Sequence, residues 1–144
     1  MKTVFPKDTL TATQKSQIDE LLGRSPSRLT IWNKNKGKGI FNVYACSAIF
    51  NSFFGEEKPT YVEIEARSKG IWLTIKSPSK EVGWAIPYYQ LVIYKTSVFS
   101  IHAQGQYIKV SCDTWFQVNS AFITNMMDLK TIATQNHQLP YDNY

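Results

Sequence analysis

The sequence predicts a mainly β (α+β) domain in which antiparallel strands close into a barrel or two packed sheets, with a short helix in front and an amphipathic helix behind. Three observations predict it. Aromatic residues make up 14% of the chain, including 8 Tyr and 8 Phe, and both suit a half-buried pleated surface. Apolar and polar residues alternate with period two in short runs between residues 61 and 110, separated by turn-forming residues. A single stripe of period 3.6 follows near the end. At 144 residues the chain has the length of one domain. It divides into an arm and short helix (1–27), strands (28–117), a helix (118–134) and a tail (135–144).

Residues 1–10 read as a loose arm. Thr11-Ala12-Thr13-Gln14 has the form of a capping box, because the Thr11 hydroxyl can accept from an early amide while Gln14 reaches back. The helix runs to about Leu22 with Ile18, Leu21 and Leu22 as its apolar patch, and Gly23 ends it. Residues 28–32 read as a short strand and residues 33–39 as a turn, since Asn and Gly tolerate left-handed backbone. Residues 40–54 are apolar on both parities, which suits a strand buried on two sides or a helix stopped by Gly55; strand is the reading taken.

Tyr61-Val62-Glu63-Ile64-Glu65-Ala66 alternates strictly, with Val62, Ile64 and Ala66 inward. After a turn at residues 67–70, Ile71, Leu73 and Ile75 share one face of the returning strand. Ser77-Pro78-Ser79-Lys80 turns the chain again, and the strand at 82–86 is ended or bent by Pro87. Residues 89–94 and 98–103 are two more strands. Gln104-Gly105 makes a tight hairpin onto residues 107–112, with Ile108 and Val110 inward and Lys109 outward. Residues 113–117 read as a loop. Asn119 or Ser120 caps the last helix. Its stripe is Phe122, Met126, Leu129 and Ala133, widened by Ile123 and Ile132, and residues 136–144 form a polar tail.

Gly70-Ile71-Trp72-Leu73, then Trp84-Ala85-Ile86-Pro87-Tyr88, then Leu91, resemble the pattern of bacterial pleckstrin-homology-like and GRAM-like domains. There a strand is followed by a W-x-I-P or I-P strand and a short step to the next. The resemblance continues through the hairpin at 99–110 and the terminal helix, covering about residues 60–134. It implies a barrel and a non-catalytic binding module.

Charge is uneven. Residues 1–38 carry eight Lys or Arg against three Asp or Glu, a balance of +5, whereas residues 39–144 carry eight of each. Lys34, Lys36 and Lys38 alternate with Asn and Gly, so their ammonium groups and the free amides between them can converge on one anion, with Arg28 nearby. In the pleckstrin-homology family the loop between the first two strands grips phosphoinositide headgroups. If residues 28–32 and the segment from 40 onward are those strands, the lysine turn resembles that site. The expected partner is a protein, with an anionic lipid headgroup or a nucleic acid as alternatives. In the nucleic-acid reading Trp32 and Phe41 would stack on bases.

No phosphate-binding glycine loop, nucleophile elbow or metalloprotease motif occurs in the sequence. His102 and His137 have no Cys or carboxylate at a ligand spacing, so neither a metal nor a cofactor is expected. Glu63 and Glu65 share a strand face about 7 Å apart, and basic residues on neighbouring strands should balance them. Glu56-Glu57 reads as a solubilising loop. Cys46 and Cys112 lie in strand-like runs and read as small hydrophobes. The first eight residues contain no apolar run, and residues 43–50 fall far short of the ~20 that a membrane span needs. The expected location is cytoplasmic, with no catalytic residue assigned.

Overall fold

A computed structural model describes residues 2–6, 10–23 and 37–142, with side chains up to residue 135. Among the described residues the chain forms eight antiparallel strands: β1 (Val4–Pro6), β2 (Lys38–Cys46), β3 (Tyr61–Ala66), β4 (Gly70–Lys76), β5 (Glu81–Pro87), β6 (Val92–Lys95), β7 (Val98–Ala103) and β8 (Gln106–Ser111). They make one sheet in the order β1-β5-β4-β3-β2-β8-β7-β6. Strand β2 belongs to both halves. Residues 38–42 pair with β3, whereas Val43, Ala45 and Cys46 pair with β8. The register shifts between Val43 and Ala45, a bulge that bends the strand at Tyr44.

Inward residues of the two halves meet in one core. Val62, Ile64, Ile71, Leu73, Ile75, Val82 and Trp84 come from one, and Phe99, Ile101, Ile108 and Val110 from the other. The sheet is nevertheless open, with β1 and β6 as its edges, so the strand ladder does not close into the expected barrel. The reason is local: β1 pairs with β5 through Val4↔Trp84 and Pro6↔Val82, and a 3₁₀ turn at Tyr88–Gln90 carries the chain away before β6 begins.

Among the described residues the sheet is accompanied by α1 (Ala12–Leu22), α2 (Ala48–Phe54), α3 (Thr114–Val118) and α4 (Ser120–Asp142). The α1 capping box forms as read, and Gly23 ends the helix at φ +84°. Ile18 and Leu22 then pack on Phe5, Trp72 and Ala85, a second small core on the outer face of β4 and β5. Trp72 lies across Gly83, where a Cβ would run into the indole.

Several sequence readings are corrected. Residues 40–54 are a strand followed by a helix, broken at Ser47, whose hydroxyl donates to the Tyr107 carbonyl (3.0 Å) and accepts from its N–H (2.9 Å). Apolar residues fall on both parities because Phe41 and Val43 point inward at strand spacing, the bulge shifts the parity so that Cys46 also points inward, and Phe50 and Phe54 follow at helix spacing. The arm at 1–10 contains strand β1, with Phe5 buried. The strand at 89–94 begins only at Val92. The loop at 113–117 is α3, capped by Asp113, which accepts from the Phe116 N–H (3.1 Å). Helix α4 continues through the presumed tail to Asp142. Phe122 and Met126 are buried and Leu129 and Ala133 partly so, but Ile132 is exposed. The strand at 28–32 lies outside the described residues, as do 33–36 of the turn; Lys38 and Gly39 belong to β2.

Candidate binding surface

The outer faces of the two half-sheets differ in what covers them. On β2–β5 the second core takes one side and ion pairs the other. Lys38 Nζ lies 3.6 Å from Glu63 and 3.7 Å from Glu65, and Lys76 Nζ lies 3.8 Å from Glu63 and 3.7 Å from Glu81. The two glutamates are therefore balanced across the sheet, as the alternation required. Arg67, itself buried, reaches Glu65 (2.5 Å), Asp19 on α1 (2.9 Å) and the Gly23 carbonyl (3.2 Å). Of the anion-site residues, Lys38 sits at the start of β2 with its charge directed to these carboxylates. Arg28, Lys34 and Lys36 lie outside the described residues, as does Trp32. Phe41 is not available for stacking: it is buried against Phe116 and Phe122, each 5.9 Å between centroids.

The other half-sheet carries rings. With Phe99, Ile101, Ile108 and Val110 inward, alternation turns Val92 and Tyr94 of β6, Ser100 and His102 of β7, and Tyr107 and Lys109 of β8 outward. Tyr94 meets His102 edge to face at 5.2 Å, and His102 meets Tyr107 at 5.8 Å. Lys109 Nζ stands 5.4 Å over the Tyr107 ring. Ala45 pairs with Lys109, and the bulge residue beside it, Tyr44, is 67% exposed. Tyr94 is 57% exposed. Each of the four strands thus offers one ring. Sequence reasoning missed this strip, although its signal is present: outward parity in strands already read, and no Asp or Glu anywhere in residues 82–112.

The neighbouring acids are engaged elsewhere. Asp113 accepts from Asn42 Nδ2 (2.9 Å) and from the Phe116 amide, and these bonds hold its carboxyl below the usual range. Glu57 is no mere solubilising residue. Hydroxyl bonds from Ser79 and Ser77 (the latter 2.8 Å), with the Ser79 amide, hold its carboxyl low as well. A depressed carboxyl stabilises the fold above the ordinary carboxylate range, and that contribution is lost as pH falls through the folded-state value. Ser79→Ala should raise the Glu57 pKa toward its ordinary value, read by carboxyl-carbon NMR titration; an unchanged value would refute the clamp.

Next to Tyr44 lies an open cleft of about 430 Å³, lined by Val43, Ala45, Cys46, Asn51 and the loop from Gly55 to Pro59. The Cys46 thiol donates to Asn51 Oδ1 (3.3 Å), and burial pushes its pKa up, so it is kept as a thiol. Among the described residues no group of three or more His, Cys, Asp or Glu side chains could hold a metal ion.

The two sheet edges also differ. Strand β1 ends at Pro6, which has no N–H to offer. Among the described residues β6 has a strand on one side only, and Val92 is 45% exposed. Gln104 ties the two halves together near this seam. Its side-chain oxygen accepts from Thr3 Oγ1 (2.7 Å) and Trp84 Nε1 (2.9 Å), and its amide donates to the Ala85 carbonyl (3.2 Å) and Gln90 Oε1 (2.7 Å). Among the described residues, no helix is long and apolar enough to cross a membrane. No protein-family model matches the chain, and no curated protein matches it.

Proposed function

We propose that the chain is a non-catalytic interaction module of the pleckstrin-homology-like kind, docking an extended segment of a partner protein along the edge of β6. Several features support the family reading. The motif residues Gly70–Leu73 and Trp84–Pro87 lie in β4 and β5, the short step is the 3₁₀ turn, and a helix follows the last strand. The two half-sheets share one core and Gln104 bridges them, which supports the family reading although the strand ladder itself is open. Cys46 and Cys112 are free thiols, which suits a cytoplasmic location.

The observation that carries the docking mode is the contrast between edges. A free edge presents alternate N–H and C=O groups that pair readily with an incoming strand, while flanking side chains confer specificity. Pro6 blunts one edge; β6 has no proline and displays Val92 and Tyr94. The anionic-ligand route through Arg28, Lys34, Lys36 and Lys38 is less well supported, because Lys38 already faces Glu63 and Glu65.

Selecting a library of unstructured peptides on the immobilised chain tests this. Extended peptides should be enriched, and Val92→Lys should weaken their binding tenfold or more while Lys38→Gln leaves it intact. No enrichment, or full binding by Val92→Lys, would refute the edge. A dimer in sedimentation that Val92→Lys splits would place a second copy there and overturn the partner reading.

A further inference from the structure

We infer that the outer face of β6, β7, β8 and the end of β2 binds single-stranded nucleic acid, with bases stacked on Tyr94, His102, Tyr107 and Tyr44 and with Lys109 at the backbone. This rests on the ring strip and not on the β6 edge; a strand added at that edge would lie beside this face and leave it uncovered. Adjacent strands are about 4.8 Å apart, so one ring per strand from β6 to β2 spans roughly 14 Å, room for two or three bases. Stacking tolerates any sequence because every base has a π-face. Centroid distances of 5.2 and 5.8 Å put Tyr94, His102 and Tyr107 in a row of contacting rings, Tyr94 edge to face with His102, and the bulge adds exposed Tyr44 beyond Lys109.

Charge complements a phosphate chain. Residues 82–112 contain Lys95 and Lys109 and no acid. Of the bordering carboxylates, Asp113 is bonded to Asn42 and the start of α3, and Glu57 to Ser77 and Ser79; Glu56 lines the cleft beyond Tyr44. The negative groups of the sheet itself, Glu63, Glu65 and Glu81, lie on β3 and β5, each beside a Lys or Arg. A strip of rings with one central cation suits a ligand held mainly by stacking and only lightly by charge.

Fluorescence anisotropy of the full chain with labelled octamers of deoxythymidylate and of uridylate tests it, the two arms separating DNA from RNA. Saturable binding is expected at low salt. Tyr107→Ala and Tyr94→Ala should each weaken it roughly tenfold. Lys109→Gln should flatten the log K against log salt slope by about 0.7, the value of one single-strand phosphate contact. Tyr107→Phe, which keeps the aromatic face, should bind as the original does, and Tyr107→Ala should keep the original's unfolding midpoint, so a folding defect cannot mimic the result. Val92→Lys should bind the octamers normally, which separates failure here from failure of the edge. No saturable binding to either octamer would overturn the inference. So would full binding by Tyr107→Ala, or competition by polyglutamate equal to that by unlabelled octamer, either of which would assign the affinity to charge alone.

Discussion

Gln104→Ala should destabilise the fold by about 2–4 kcal/mol in urea unfolding. All four hydrogen-bonding positions of this amide are occupied, and one partner is the indole N–H of fully buried Trp84. Truncation strands that N–H, at about 1–3 kcal/mol, and also loses the ties to Thr3 and Ala85. The backbone is strained here with either side chain: Gln104 has φ +56°, alone among described non-glycine residues in that region, and Gly105 follows at φ +78°. Gln104→Gly removes the same amide but relaxes the backbone, so it should cost about 1 kcal/mol less than Gln104→Ala. Equal stability of Gln104→Ala and the original would show that the seam does not depend on this side chain.

Arg67→Met should cost about 3–5 kcal/mol, because it leaves a buried carboxylate without its main partner. Glu65 and Arg67 are both 9% exposed and their side chains meet at 2.5 Å. Lys38, at 3.7 Å, is largely exposed and screened, so it offsets little of that loss. Arg67 also holds α1 through Asp19 and the Gly23 carbonyl, so amides of α1 should exchange faster in the variant. Arg67→Lys should recover only part of the stability, since an ammonium lacks the fork that reaches Glu65, Asp19 and Gly23 together. Glu65→Leu combined with Arg67→Met should recover more, because an apolar pair leaves no orphaned charge. If the single and double variants are equally unstable, the burial of Glu65 is not the cause.

What could be read from the chain followed from physical periodicity. Strands β3, β4, β7 and β8 were legible because each alternates over at least six residues with a turn at either end. The cap of α1 was legible because Thr11 and Gln14 satisfy each other locally, whatever the rest of the chain does. Strand β1 was not legible: three residues ending in proline have no period, and only pairing with β5 makes them a strand. Residues 40–54 misled because two elements of different period share one apolar run with no Gly or Pro between them. The stacking role given to Phe41 failed for the same reason, since burial of β2 on the core was not visible without its partner strands. Charge misled differently. The neutral balance of residues 39–144 averages an ion-paired face over an acid-free one, and only the fold separates them.

Hydrogen exchange with and without a selected peptide tests the docking edge most directly. Backbone amides of Val92–Lys95 should slow on peptide binding while those of Val4–Pro6 stay unchanged. Protection confined to β1, or to the loop from Gly55 to Pro59, with β6 unaffected would contradict it.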